Sequence, residues 1–278
     1  MDRTIGQFAS RPVHAVEADS KVLDALTLMS ERRISCVVVL EQQEPTGILT
    51  ERDVVFAAHW VLGQSALSVR DVMNNPVLTA PEVMPLNKAC ELFCEHGIRH
   101  LVVLDERLDM GGIFTQTDLV RALREEAFEG CEDISKLMSE DVLQVSPEVS
   151  ARYALSHMAR RAVSCVVVVE HNAPVGVFTE RDVVRLIAEG ADLTNVSVGS
   201  VMSSNLVTAS SGMSPFSAIN LMYDRSVRRL IVLNATGEMA GLLTQTDLGR
   251  VQNASAMGAA PSPIVPGMMD GFGRPQTA

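Results

Sequence analysis

The chain has 278 residues, a formal net charge of -11, 47% hydrophobic residues and only 4% aromatics. That length amounts to about two ordinary domains, and the acidic balance excludes nucleic acid as a partner, because a phosphate backbone needs a basic footprint. The start, Met1-Asp2-Arg3-Thr4-Ile5-Gly6, has no charged region leading into an apolar one, and the most apolar stretch, Val54 to Gly63, is far shorter than the roughly 20 residues a spanning helix needs.

The expectation is therefore a soluble, cytoplasmic protein with no membrane partner. The five cysteines, an odd number without framework spacing, fit reduced thiols.

The first predicted element is a short helix ending near Phe8, followed by a short strand, Val13-His14-Ala15-Val16. An amphipathic helix comes next, with Ser20 as N-cap and a buried stripe of Val22, Leu23, Leu26, Met29 and Ile34. The apolar run Cys36-Val37-Val38-Val39-Leu40 is short, β-branched and bounded by polar turns, so it reads as a strand buried on both faces. A turn leads to the strand Gly47-Ile48-Leu49-Thr50, and Glu51-Arg52-Asp53 opens a second helix.

This β-α-β-β-α unit then recurs. Phe8 is answered by Met73, Met138 and Met202, at spacings of 65, 65 and 64. The short strands are Val77-Leu78-Thr79, Val142 to Val145 and Leu206-Val207-Thr208, and Ser150 is placed to cap the third amphipathic helix. The buried runs are Leu101 to Leu104, Cys165 to Val169 and Leu230 to Leu233. Four domains are expected, at 1–65, 66–129, 130–195 and 196–252, followed by a disordered Ala, Gly, Pro, Ser and Met tail at 253–278. Each unit is too small to bury its sheet comfortably alone, so the units should pair. From Cys36 to Asp118 the first half matches Cys165 to Asp247 at a constant offset of 129, so a two-unit module is present twice.

Each copy closes on Gly, two apolar residues, Thr, two variable residues and Asp, with aspartates 65, 64 and 65 apart. The pairs are Thr50 with Asp53, Thr115 with Asp118, Thr179 with Asp182 and Thr244 with Asp247. Two readings stand side by side. A Thr at a helix N-cap with an acidic residue three positions on is nearly a capping box, and an acid there suits the helix dipole. The same pair at a strand-to-helix junction is also placed to hold a polar small molecule. Capping boxes favour the longer Glu or Gln, yet all four copies use Asp. The preceding Gly would let a ligand or another backbone approach.

With that fourfold Gly-h-h-Thr-x-x-Asp pattern, the chain resembles the cystathionine beta-synthase (CBS) domain family over nearly all of residues 1 to 250. The resemblance implies an α/β (α+β) fold of four tandem CBS domains, paired into two Bateman modules with pseudo-twofold symmetry. The modules would stack within one chain or pair with those of a second copy as a homodimer. In the family, clefts between paired domains bind adenosine-containing ligands, as in the gamma subunit of AMP-activated protein kinase. By that likeness Asp53, Asp118, Asp182 and Asp247 would hold ribose hydroxyls, with Thr50, Thr115, Thr179 and Thr244 beside them. A carboxylate can accept from both vicinal hydroxyls, and a helix N-terminus favours phosphate.

Just before the central strand, the second and fourth units carry Arg99-His100 and Arg228-Arg229, where the first and third have Ile34-Ser35 and Val163-Ser164. The resemblance implies phosphate contacts for the basic residues and a nucleoside contact for Ser35 and Ser164. Arg52 and Arg181 either add charge at the same clefts or simply solvate a helix surface. Cys90, Cys94, His96 and His100 cluster in sequence, but a buried cysteine stripe explains the first two better than zinc, and no metal is expected. No nucleophile-base constellation or phosphate loop is present, so no catalysis and no catalytic cofactor are expected. The function expected is a regulatory sensor that binds AMP, ADP or ATP and is read by a protein partner. The alternatives are a ligand-free scaffold, or the same clefts holding S-adenosylmethionine, NAD or a cyclic dinucleotide.

Overall fold

The computed structural model describes residues 3–62, 66–122, 128 and 131–249; the tail expected at 253–278 lies outside them. Four three-stranded sheets account for all twelve strands of these residues, one sheet per repeat.

In the first repeat β1 (Ala15–Glu17) leads to α1 (Val22–Arg32), β2 (Cys36–Glu41), β3 (Glu44–Thr50) and α2 (Glu51–Phe56), followed by the short α3 (Ala58–Val61). The second repeat runs β4 (Thr79–Pro81), α4 (Leu86–Glu95), β5 (His100–Leu104), β6 (Met110–Thr115) and α5 (Gln116–Ala122). The third is β7 (Gln144–Val145), α6 (Ala151–Arg161), β8 (Cys165–Glu170), β9 (Ala173–Thr179) and α7 (Glu180–Ala188). The fourth is α8 (Val198–Val201), β10 (Thr208–Ser210), α9 (Pro215–Asp224), β11 (Arg229–Leu233) and β12 (Met239–Thr244), with residues 245–249 helical after it.

In every sheet the apolar run is the central strand. It pairs parallel with the short strand before the helix and antiparallel with the Gly-h-h-Thr strand after it. Val37, Val38 and Val39 are fully buried, as a run apolar on both faces requires. Two local expectations change. The N-cap of α1 is Lys21, whose side chain makes no cap bond, while the Ser20 carbonyl accepts from the Val69 amide. Leu23 is exposed, because one residue past Val22 turns about 100° off the buried stripe and Ala25 fills the place instead. Ser150 does cap α6, its hydroxyl accepting from the Tyr153 amide.

The described residues fall into two compact units. One contains those of 3–13, 78–142 and 206–249, and therefore the sheets of the second and fourth repeats. The other contains 14–77 and 143–205, with the sheets of the first and third.

The short lead-in before each repeat docks on a different sheet from its own. Ile5, ahead of the first repeat, is buried in the core of the second. Ile134, ahead of the third, is buried in the core of the fourth. Val69 and Val198 are buried in the apolar cluster shared by the first and third repeats. Burying one such side chain contributes roughly 1.5–3 kcal/mol.

Paired backbone bonds seal each crossing. Ser10 exchanges bonds with Ile113, Asn74 with Ile48, Ser139 with Leu242 and Ser203 with Val177. The motif glycine makes room for this. A Cβ on Gly241 would stand 2.7 Å from the Ser139 carbonyl oxygen, and one on Gly47 would stand 3.0 Å from that of Asn74. So the close approach that glycine permits here is by the lead-in, through its backbone at Gly241 and through the side chains of Met73 at Gly47 and Met202 at Gly176.

Candidate functional site

All four Thr-x-x-Asp pairs adopt one geometry. The Asp Oδ2 accepts from the Thr backbone N–H at 2.7, 2.9, 2.9 and 2.8 Å for Asp53, Asp118, Asp182 and Asp247. The same oxygen accepts from the Thr hydroxyl at 2.7, 2.7, 2.8 and 2.6 Å. The return bond, from the Asp amide to Thr Oγ1, is longer at 3.4, 3.3 and 3.4 Å for Asp53, Asp118 and Asp247. These are capping boxes built with the short acid: Thr leaves the sheet in extended conformation, and its Asp closes back on the N-cap amide.

Capping occupies one oxygen of each carboxylate and leaves the second to face other groups. Asp53 Oδ1 accepts from Asn74 Nδ2 at 2.6 Å, so the lead-in crossing to the first repeat reaches its motif. Asp182 Oδ1 meets Arg185 Nη2 at 3.5 Å. Asp118 Oδ1 meets Arg121 Nη1 at 4.0 Å, and the charge of Arg228, from the fourth repeat, also acts on Asp118.

Asp118 is only 4% exposed. Burial raises its carboxyl above the usual aspartate value, against the hydrogen bonds from Thr115 and the charges of Arg121 and Arg228. An acid whose folded pKa is raised contributes stability below its unfolded pKa of 3.8, and that contribution is lost as pH climbs through the folded value. Asp118→Asn keeps an acceptor for Thr115 and removes the titration. Its melting midpoint relative to the native chain should therefore rise as pH is raised from about 4 toward 7. Melts across that range check this, and a gap that moves the other way refutes it.

The basic and serine positions shift by one residue from the sequence expectation. Cys36, His100, Cys165 and Arg229 are the residues that oppose Thr50, Thr115, Thr179 and Thr244 in the sheets. Ser35, Arg99, Ser164 and Arg228 are therefore equivalent, and their carbonyls accept from the first amide of each motif helix at 3.0, 3.0, 3.1 and 3.1 Å. The cause is the hairpin: Gln42-Gln43 turns β2 into β3, whereas residues 105–109 link β5 to β6, which lengthens the path to Thr by one.

So the motif threonines of the first and third repeats face a buried thiol, and those of the second and fourth face His100 and Arg229. Side chains directly opposed in a sheet are neighbours on one face. Arg229 Nη1 is the one buried side-chain nitrogen or oxygen among the described residues with no hydrogen-bond partner.

Arg52 and Arg181 remain partly exposed to solvent, and each also forms an ion pair with a buried glutamate. Arg52 Nε donates to Glu180 at 3.4 Å, and Arg181 Nε donates to Glu51 at 2.9 Å. Cys90 is buried and Cys94 exposed on α4. Among the described residues no three His, Cys, Asp or Glu side chains converge on a metal position, and no helix is long and apolar enough to cross a membrane.

A model of the CBS domain matches residues 5–59, 69–125, 132–189 and 198–252, and the chain belongs to the CBS domain family. The crystal structure of protein MJ1225 from Methanocaldococcus jannaschii, put forward as an archaeal homologue of g-AMPK, aligns with a TM-score of 0.77 at 19% identity. It covers 89% of this chain and 99% of that one. At that identity the likeness is one of fold.

Uncharacterized protein MK0525 of Methanopyrus kandleri is 33% identical over 123 residues, which are 42% of this chain and 61% of that protein. The inosine-5'-monophosphate dehydrogenase of Thermoplasma acidophilum is 30% identical over 110 residues, 40% of this chain but only 21% of the enzyme. The chain thus spans less than two thirds of the length of either sequence relative.

Proposed function

We propose that this chain is a cytoplasmic regulatory protein, not itself an enzyme, that binds an adenine nucleotide such as AMP, ADP or ATP. Its ligand state would pass to a protein partner through a change in how the repeats pack, which requires that two packings bind the nucleotide with different affinity. Asp53, Asp118, Asp182 and Asp247 would offer ribose the carboxylate oxygen that capping does not use, with Thr50, Thr115, Thr179 and Thr244 alongside. Arg99, His100, Arg228 and Arg229 would meet phosphate, and Ser35 and Ser164 the nucleoside.

The observation that carries this reading is Arg229. Its buried Nη1 lacks a partner, and the residue opposes the motif Thr244. A buried guanidinium nitrogen left unpaired is costly, and an anion beside it would remove that cost. The finished capping boxes favour the competing reading, a ligand-free scaffold.

Thermal unfolding with AMP, ADP, ATP and S-adenosylmethionine at millimolar concentration separates the two. A nucleotide at 100 times its dissociation constant adds about 2.7 kcal/mol to the folded state, raising the midpoint by roughly 5–10 °C. Arg229→Ala is expected to remove most of that rise. No rise with any of the four ligands rejects the adenine-nucleotide sensor and favours the scaffold.

A further inference from the structure

The two residues between Thr and Asp vary in a way the capping geometry does not need. The first and third repeats carry Glu-Arg there, and the second and fourth carry Gln-Thr. Within the compact unit of the first and third repeats these residues pair crosswise. Arg52 donates to Glu180 and Arg181 donates to Glu51. Both glutamates are buried, Glu180 at 4% and Glu51 at 5% exposure.

Within the unit of the second and fourth repeats the same positions also pair crosswise, but with neutral groups. The Thr117 hydroxyl donates to Gln245 Oε1 at 2.8 Å, and that of Thr246 donates to Gln116 Oε1 at 2.9 Å. Each arrangement is self-complementary in the manner of a twofold interface: what one repeat gives, it also receives.

We propose that this dipeptide is a pairing code on the motif helix, so that the surface of a T-E-R-D repeat fits another T-E-R-D repeat and a T-Q-T-D repeat fits another T-Q-T-D repeat. The shared apolar core supplies most of the attraction but little discrimination, since apolar burial is non-directional. Discrimination comes from the mismatch. A T-E-R-D helix laid against T-Q-T-D would bury a glutamate opposite a threonine hydroxyl, and an ionised carboxylate deprived of its cation is strongly destabilising when buried. The code therefore excludes all four mixed motif-helix pairings (first with second, first with fourth, second with third and third with fourth) and selects the two combinations found in the compact units.

The test rewrites the dipeptide in the full chain. The variant E51Q/R52T gives the first repeat the neutral code and takes the Arg52 guanidinium away from Glu180. Its thermal midpoint is expected to fall by about 5 °C, a value discounted for the partly exposed arginines. Adding E180Q/R181T makes both partners neutral, as in the other unit, and the midpoint is expected to return to within about 2 °C of the native chain.

If the two-substitution variant fails to fold and the four-substitution variant folds, the code stands. A two-substitution variant that melts with the native chain overturns it. So does a four-substitution variant that melts no higher than the two-substitution one, or fails to fold.

Discussion

Asp182→Ala is expected to lower the midpoint of the ligand-free protein by about 3–6 °C and to weaken nucleotide binding at least 100-fold. The first effect follows from the capping box. Asp182 accepts from both the amide and the hydroxyl of Thr179, and losing an N-terminal cap of this kind costs roughly 1–2 kcal/mol. The second follows from the proposed ribose contact, because two hydrogen bonds to a charged acceptor are worth about 1.5–3 kcal/mol each.

Asp182→Asn separates the two effects. The amide oxygen still accepts from Thr179, so most of the ligand-free midpoint should return, while the lost charge keeps nucleotide affinity low. Calorimetric titration beside thermal melts reads both quantities. Native affinity in both variants would reduce the motif acid to architecture.

Phe178→Ala is expected to destabilise the fold by about 3–5 kcal/mol, a midpoint drop on the order of 10 °C. Phe178 is wholly buried on β9, opposite Val166, in the apolar cluster shared by the first and third repeats. Close-packed surroundings relax only partly around a deleted ring, so the cavity adds to the lost transfer energy. The same motif position holds Leu49 and Leu243 in the first and fourth repeats, so Phe178→Leu should be much milder. Urea unfolding of the two variants measures the difference. A cost below about 1 kcal/mol for the alanine would contradict the packing described.

The repeat, the order of elements within it and the family were legible because three signals recur together. Buried β-branched runs mark the central strands, Gly-h-h-Thr marks the outer ones, and the Thr-Asp pair marks the helix start. Local chemistry of that kind acts over a few residues and leaves a local trace.

What stayed hidden acts at a distance. Nothing near Arg52 announces Glu180, 128 residues away, so the arginine read either as a charge at the cleft or as helix-surface solvation. Which sheet a lead-in such as Ile5 or Val69 joins is likewise set by tertiary packing, with no periodicity of its own. The one-residue slip at Ser35 and His100 escaped for another reason. The near-constant aspartate spacing invited alignment on the motif alone, and the longer hairpin between β5 and β6 displaces everything upstream of it. Aligning the buried runs against their glycines separately would have exposed it.

The exchanged lead-ins decide how this chain can be cut or copied. Ser10 closes a bridge on the second repeat and Asn74 closes one on the first, so trimming at either repeat's own margin takes a fastening away from its neighbour. Ser139 and Ser203 stand in the same relation in the other half. The smallest stretch that keeps these backbone bridges whole is two repeats long, and the 129-residue offset between the halves is the length of that stretch.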